Sequence, residues 1–145
     1  MDSSSELFEQ LLRRAGYSIT SPRRLVFNTL YRREPLSMHE LGAKTKGRID
    51  RASLYRITRI FEELGIVQRI PTGWKYKLEL TDIFTHHHHH ITCLGCSSII
   101  PIKENKSIEN LIENIVRKQG VLSVRHQLEV QGYCAKCQKN GKSVS

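Results

Sequence analysis

The sequence predicts an α+β protein in two parts: an N-terminal winged helix-turn-helix domain and a smaller C-terminal α/β domain with metal sites. Three observations lead to this prediction. The first half carries apolar residues at helical spacing and ends in two short strand-like stretches. The second half alternates strand-like and helical segments. That half also contains two Cys-x-x-Cys pairs and a run of five histidines, which are residue types that bind metal ions.

The composition narrows the class of protein. The chain has 145 residues, a length that suits one domain or two small ones. Its 23 lysines and arginines exceed its 14 acidic residues, and this excess favours a polyanionic partner such as nucleic acid. No apolar run approaches the roughly 20 residues of a membrane-spanning helix, and the N-terminus lacks a signal-peptide pattern. We therefore expect a cytoplasmic protein with no membrane partner.

Capping signals divide the first half into helices. A stretch of helical spacing ends at Gly16. The pair Ser21-Pro22 predicts a second helix, with the serine as its capping residue and the proline at its first position. The segment Ser37–Glu40 has capping-box spacing and predicts a short third helix. Asp50 is the predicted cap of a fourth helix, which ends before Gly65.

The helix after Asp50 and the segment that follows it complete the winged pattern. At about 100° per residue, the apolar residues of this helix fall on one side. The other side is cationic and carries Arg51, Tyr55 and Arg59, with Arg56 beside them. Two strand-like stretches follow, 66–70 and 74–80, with Pro71-Thr72-Gly73 as the predicted turn. Helices followed by a hairpin in this order are typical of a winged helix-turn-helix domain.

The second half has its own order of elements. We predict a strand over 86–92, a strand over 98–102, an amphipathic helix from a Ser107 cap to Gly120, and a strand over 121–130. The change in pattern places the boundary at residues 81–85. The predicted domains are therefore 1–80 and 86–145, joined by a hinge.

The two cysteine pairs predict a structural zinc site. Cys93 pairs with Cys96, and Cys134 pairs with Cys137, so all four cysteines of the chain belong to a pair. Each Cys-x-x-Cys turn aims two sulfurs at one ion, and four thiolates form a closed tetrahedral site. The strand, helix and strand between the pairs can bring them together. Free thiols or a redox pair are the alternatives that the spacing leaves open.

The histidine run 86–90 predicts metal binding on both sides of one strand. Successive side chains of a strand alternate, so His87 and His89 face one side and the other three histidines the opposite side. Neutral imidazole suits zinc, iron, nickel and copper. The further ligand candidates are Glu79, Glu109 and His126. Taken singly, they also fit a solvated strand residue, a favourable charge at a helix N-terminus and a packed histidine.

Taken in order, these motifs resemble the ferric uptake regulator (Fur) superfamily of metal-dependent bacterial repressors. The segments that carry the resemblance are 20–23, 52–56, 62–67, 78–81, 86–96 and 132–137. The resemblance covers nearly the whole chain. It implies an N-terminal winged-helix DNA-binding domain, a hinge, and a C-terminal α/β dimerisation domain that carries the metals.

The resemblance also implies three metal sites. The four cysteines match the structural zinc site of the family. A second site matches His87, His89, Glu109 and His126. An inter-domain regulatory site, for zinc or iron(II), matches Glu79, His88 and His90. Two ligand positions of the family hold Pro35 and Pro101 here, and His39 and Glu104 are the candidate replacements. The unbroken histidine run is similar to that of zinc-sensing members.

The predicted function is therefore a metal-responsive, sequence-specific DNA-binding repressor and not an enzyme. We expect metal to close a homodimer onto a palindromic site in double-stranded DNA. The predicted DNA contacts are Arg23, Arg48, Arg51, Ser53, Tyr55 and Arg56. The alternatives are a zinc hydrolase and a metal-storage protein built on the histidine cluster. The sequence contains no HExxH motif, which is a common zinc-hydrolase pattern. A metal-storage function would not explain the winged-helix half of the chain.

Overall fold

The chain folds into two compact units, Met1–His86 and His87–Ser145, in a computed structural model that describes residues 3–144. The first unit contains α1 (Ser3–Arg14), α2 (Ser21–Leu30), α3 (Met38–Lys44), α4 (Arg51–Glu63), β1 (Val67–Thr72) and β2 (Lys75–Leu80). The second unit contains β3 (His88–Cys93), β4 (Ile99–Lys103), α5 (Lys106–Lys118), β5 (Glu129–Gly132) and α6 (Ala135–Lys139). No helix among the described residues is long and apolar enough to cross a membrane.

Aromatic packing between helices forms the centre of the first unit. The rings of Phe8 and Phe27 are stacked with centroids 4.3 Å apart, and Phe61 meets Phe8 edge-on at 5.4 Å. Leu54 and Ile57 of α4 are buried beside them, as the helical spacing predicts. Because α4 buries this stripe, its opposite side remains in solvent. The predicted division of α4 into an apolar and a cationic side is confirmed.

Two of the predicted helix starts have the expected hydrogen bonds. The Glu40 N–H donates to Ser37 Oγ at 3.1 Å, and the Ser37 N–H donates to Glu40 Oε2 at 2.7 Å, which completes the capping box. The backbone N–H of Ser37 lowers the pKa of the Glu40 carboxyl group. At α4, the Ser53 N–H donates to Asp50 Oδ1 at 2.9 Å. These bonds fix where α3 and α4 begin.

The predicted caps of two other helices were wrong by one or two residues. Thr20, and not Ser21, caps α2, because its hydroxyl accepts the Arg23 N–H and the proline falls at the second helical position. Asn105, and not Ser107, caps α5, because its Oδ1 accepts the Ser107 N–H at 2.9 Å. In both cases a residue earlier in the chain caps the helix, so the helix begins earlier than predicted.

The turn of the hairpin lies later than predicted. The strands pair from Val67↔Leu80 to Thr72↔Lys75, so Pro71 belongs to β1 and the loop is Gly73-Trp74. β1 is an edge strand of this two-stranded sheet, and at an edge the missing N–H of proline is tolerated. Gly73 has a φ of +82°, and a two-residue hairpin loop requires such left-handed backbone.

The second unit is built on a three-stranded sheet in the order β4-β3-β5. β3 is antiparallel to β4 and parallel to β5. The strand predicted over 86–92 begins two residues later. The strand predicted over 121–130 is also wrong at its start, since only Glu129–Gly132 pair with β3, opposite residues 90–93. Residues 121–128 form no strand, although the Leu128 carbonyl accepts the His90 N–H of β3 at 3.4 Å.

Removing the capping box of α3 is expected to destabilise the first unit modestly. Ser37→Ala leaves the Glu40 N–H without its partner, which costs about 1 kcal/mol in the free energy of unfolding. Urea unfolding followed by circular dichroism measures this change. Ser21→Ala is the matched control, because Ser21 is exposed and does not cap α2. A loss in the control as large as that in Ser37→Ala would contradict the assignment of the caps.

Candidate metal centres and DNA-binding surface

The two cysteine pairs meet because they follow the ends of two neighbouring parallel strands. Cys93 is the last residue of β3 and lies opposite Gly132 of β5, two residues before Cys134. The four sulfur atoms all lie within 4.8 Å of one another, and Cys96 Sγ is 3.9 Å from Cys134 Sγ. No disulfide joins them. Zinc bound at about 2.3 Å places neighbouring thiolates about 3.8 Å apart in a tetrahedron, so this cluster fits the ion.

The protein prepares some of these thiols for ionisation. The backbone N–H of Cys134, 3.3 Å from Cys93 Sγ, lowers the pKa of the Cys93 thiol to about 6. The Ser98 hydroxyl lowers the pKa of Cys96. Burial raises the pKa of Cys137 to about 12. The thiolate is the metal-binding form, so the lowered pKa favours metal binding by Cys93. Cys137 must release its proton to solvent when a cation binds to its sulfur.

Gly95 lies so close to the cysteine cluster that only glycine fits there, a constraint not predicted from the sequence. A Cβ atom at this position would lie 2.8 Å from Cys137 Sγ and 3.1 Å from Cys137 Cβ. Any larger residue would therefore displace the buried sulfur. The sequence does offer one indication of this close contact, the glycine inside the first Cys-x-x-Cys pair. Glycine is common in turns where the backbone approaches another group closely.

Three histidines and one glutamate form a second cluster. Glu109, in the first turn of α5, accepts from His89 Nε2 at 2.7 Å and from His126 Nε2 at 2.8 Å. His87 Nε2 lies 3.5 Å from the same carboxylate and 3.2 Å from His126 Nε2. Zinc bound at about 2.0–2.1 Å separates tetrahedral nitrogen ligands by about 3.3 Å. The four side chains predicted for the second site are therefore together, at spacings that suit one ion.

The charge state of this cluster also suits a cation. Burial alone raises the pKa of Glu109, but the hydrogen bond from His89 and the charges of His126 and His87 outweigh it, and the net shift is downward. The carboxylate is thus ionised at neutral pH. The His89 side chain is only 1% exposed, so water competes poorly for its Nε2. A mixed imidazole and carboxylate donor set is suitable for zinc, iron or manganese.

The remaining histidines of β3 form a separate pair. The His88 and His90 rings lie 4.7 Å apart, and the His87 and His89 rings lie 4.7 Å apart as their own pair. The alternation predicted for the strand is thus seen in the ring contacts. Pro101 of β4 is the direct cross-strand partner of His90, so this family ligand position offers no side-chain donor beside the histidine.

The first-unit residues predicted for the regulatory site have local roles. Glu79 of β2 is buried and accepts from Gln68 Nε2 at 2.8 Å. His39 is exposed on α3 and lines a groove with Arg51 and Tyr55 of α4. The grouping of Glu79 with His88 and His90, and the participation of His39, stay predictions.

The predicted DNA-contacting residues cluster at the start of α4. Arg51, Tyr55 and Arg56 are exposed, and the Arg51 guanidinium lies over the Tyr55 ring at 5.7 Å. Arg56 Nη2 donates to Ser53 Oγ at 3.1 Å, and this hydroxyl donates to Asp50 Oδ2 at 2.6 Å. The cap therefore orients Arg56 through Ser53.

The two other arginines of the predicted surface bond to nearby backbone. Arg48 Nε donates to the Thr45 carbonyl at 3.4 Å, and Arg48 is otherwise exposed just before α4. Arg23 Nη1 donates to the Ser18 carbonyl at 2.5 Å, and its guanidinium lies over the Tyr17 ring. Arg23 thus folds back on the loop before α2, which leaves it less free than the arginines of α4.

Comparisons with known proteins agree with this architecture. The model of the ferric uptake regulator family matches residues 14–131. The ferric uptake regulation protein of Escherichia coli K12 is 33% identical over 132 residues, which cover 86% of each chain. The Vibrio cholerae ferric uptake regulator structure, reported with rearranged DNA-binding domains, has a TM-score of 0.73 at 32% identity and covers 87% of this chain and 98% of its own.

The Helicobacter pylori regulator Fur, whose structure reveals three functional metal-binding sites, has a TM-score of 0.78 at 25% identity and covers 99% and 95% of the two chains. These similarities confirm the predicted fold class, a winged-helix half followed by an α/β half. The family match extends from the end of α1 to β5 and so includes both the cationic helix α4 and the histidine-bearing strand β3. The chain belongs to the ferric uptake regulator family.

Proposed function

We propose that this protein is a metal-responsive transcriptional repressor of metal homeostasis, which binds a palindromic site in double-stranded DNA as a homodimer. One observation carries the proposal: a single chain holds an exposed cationic helix in a winged-helix unit and two clusters of metal-ligating side chains. A location in the cytoplasm belongs to the proposal, since the target is DNA. So does the absence of an enzymatic role.

The first step is DNA binding by α4. An exposed α-helix fits the major groove of DNA. There arginine bonds to guanine O6 and N7, and tyrosine contacts a thymine methyl or a phosphate. Arg51, Tyr55 and Arg56 have the required exposure. We assign flanking contacts to Arg48 and Ser53, and a phosphate contact to Arg23.

The second step is metal binding in the second unit. We propose that zinc at the four cysteines crosslinks the ends of β3 and α6, and that a second ion lies between the three histidines and Glu109. For the regulatory ion, zinc or iron(II), we propose Glu79, His88 and His90 as ligands, with His39 as a further candidate. Strand alternation and the family resemblance support this last assignment. Pro35 and Pro101 stand at two ligand positions of the family and supply no side-chain donor, which is why His39 is included.

An uncovered apolar face supports the homodimer. α5 is strongly amphipathic, yet none of its residues is buried. Leu111 and Ile115, one turn apart, are 60% and 54% exposed. Exposed apolar faces of this kind mark interaction surfaces. A second copy of the chain that covers this helix would remove the face from water.

The chemistry of the clusters argues against the rival functions. A catalytic zinc keeps an open coordination position, whereas four thiols or three imidazoles and a carboxylate supply a full tetrahedron. A metal-storage role would require neither the winged-helix unit nor its cationic helix.

Substitutions on α4 test the DNA-binding step. Arg56→Ala and Tyr55→Ala should each weaken DNA binding by about 1–3 kcal/mol without loss of metal, because both side chains are exposed and far from the ligand clusters in sequence. The probe is a labelled duplex enriched from a random-sequence pool by the metal-loaded protein, and anisotropy reports binding.

Arg117→Ala is the matched control for these variants, since Arg117 is an exposed helical arginine of α5 that pairs with Glu113 at 3.3 Å, away from α4 in the other unit. Its affinity should equal that of the unchanged protein. Unaltered affinity in both α4 variants would remove the groove assignment.

A further inference from the structure

The tip of the β1–β2 hairpin exposes an entire indole ring. Trp74 follows Gly73 in the two-residue loop and is 96% exposed, the highest value among the large apolar side chains of residues 3–144. It is also the only tryptophan in the chain. An indole carries a large apolar surface with one polar N–H, and in water that surface is unfavourable. Nothing in the packing of the first unit accounts for tryptophan at this position.

The hairpin presents this ring from a fixed position. Arg69 of β1 forms a two-pronged ion pair with Glu62 of α4. On β2, Lys77 Nζ lies 3.7 Å from a Glu40 oxygen of α3. These pairs hold the middle of the hairpin against α3 and against α4, the helix with the proposed DNA contacts. A side chain on a rigid support loses little conformational entropy when it is covered.

The surroundings of the ring are cationic. Between Glu63 and Glu79 the sequence contains no acidic residue but three basic ones. Arg69 and Lys77 are engaged in the ion pairs just described, whereas Lys75 lies directly beside Trp74 and is exposed. An apolar ring next to a lysine matches the two components of a nucleic-acid backbone, the deoxyribose and the phosphate. A protein surface would instead be matched by a broader apolar patch.

We propose that Trp74 packs against a deoxyribose of the DNA strand beside the groove that α4 enters, while Lys75 neutralises the neighbouring phosphate. The inference rests on the proposed DNA-binding function and adds a second contact region to it. A sugar contact carries no sequence information and releases no counterion. It therefore adds affinity equally on all sequences and leaves the salt dependence unchanged.

The single tryptophan allows the contact to be observed directly. Metal-loaded protein is titrated with the labelled duplex enriched from a random pool, and tryptophan emission is recorded together with duplex anisotropy. Anisotropy reports DNA binding whether or not Trp74 takes part, so a failure of the proposed function is distinguished from a failure of this inference. We expect the emission of the exposed indole to shift to shorter wavelength or to be quenched in step with the anisotropy.

Two variants separate the roles of the ring and the lysine. Trp74→Ala should weaken DNA binding about tenfold, which is in the range found for aromatic stacking on nucleic acid. The slope of log affinity against log salt should not change. Trp74→Phe should recover part of the lost affinity. Lys75→Ala should lower the slope of log affinity against log salt by about one. Val144→Ala, which truncates an 87% exposed apolar residue of the other unit, should change neither quantity.

Three results would overturn the inference. One is unchanged emission at saturating anisotropy. Another is Trp74→Ala protein that binds DNA as tightly as the unchanged protein. The third is an emission shift that appears with neutral or anionic phospholipid vesicles, or on concentrating the protein, but not with DNA, because the ring would then serve a membrane or protein contact.

Discussion

Cys93→Ser is expected to release one tightly bound zinc per subunit and to unfold the second unit. This unit buries few of its own apolar side chains, and its cysteine cluster joins the end of β3 to α6. Structural zinc contributes an apparent free energy on the order of 10 kcal/mol, more than a small unit can lose and remain folded. Metal analysis, circular dichroism and sedimentation measure the three consequences: loss of zinc, loss of structure and loss of the dimer.

The chain offers a matched control inside the same turn. Leu94 lies between the two cysteines and is 39% exposed, so Leu94→Ala should keep its zinc and its fold. If Cys93→Ser lost its zinc but stayed equally stable and dimeric, the structural role of the cysteine site would be refuted.

Substitutions along the histidine run are expected to divide into two groups with different phenotypes. His87→Ala and His89→Ala should share the loss of one ion with Glu109→Ala and His126→Ala, because these four side chains lie in one cluster. His88→Ala and His90→Ala should instead share a phenotype with Glu79→Ala, namely the loss of metal-responsive DNA binding. If the regulatory metal raises DNA affinity a hundredfold, loss of that response corresponds to about 2.7 kcal/mol in the free energy of DNA binding.

Metal titration of the single variants, with a count of ions per subunit, separates the two groups. His86→Ala is the control, since His86 is exposed and precedes β3. Equal loss of the same ion from His87→Ala and His88→Ala would show that the run does not serve two separate sites.

The elements that the sequence predicts best are those fixed by short-range hydrogen bonds. The capping box at Ser37 and the cap at Asp50 each join residues three apart, and the sequence locates both. At α2 and α5 two capping residues stand close together, and spacing alone did not choose Thr20 over Ser21 or Asn105 over Ser107. The strand predicted over 121–130 depended on a partner strand, and its pairing length is set by β3. The turn at Gly73 was displaced for the same reason, since the register between β1 and β2 decides which residues form the loop.

The metal clusters could be predicted by residue type but not by geometry. Spacing shows that Cys93 and Cys134 each begin a Cys-x-x-Cys pair, but the parallel pairing of β3 with β5 is what brings the pairs together. Likewise, the alternation of His87 and His89 is visible in the sequence, whereas the approach of Glu109 and His126 depends on tertiary packing. The close contact of Gly95 with Cys137 depends on the same closure. The domain boundaries at 80 and 86 stay predictions.

The dependence of DNA affinity on metal is the most direct measure of the proposed function. Protein from which every ion has been removed except the zinc proposed at the four cysteines is titrated with zinc, iron(II), manganese and nickel in the presence of the labelled duplex. We expect at least one of these ions to raise the affinity about a hundredfold, which requires about 2.7 kcal/mol of differential binding. The same affinity with and without every one of these ions, in protein that binds them, would contradict a metal-responsive repressor.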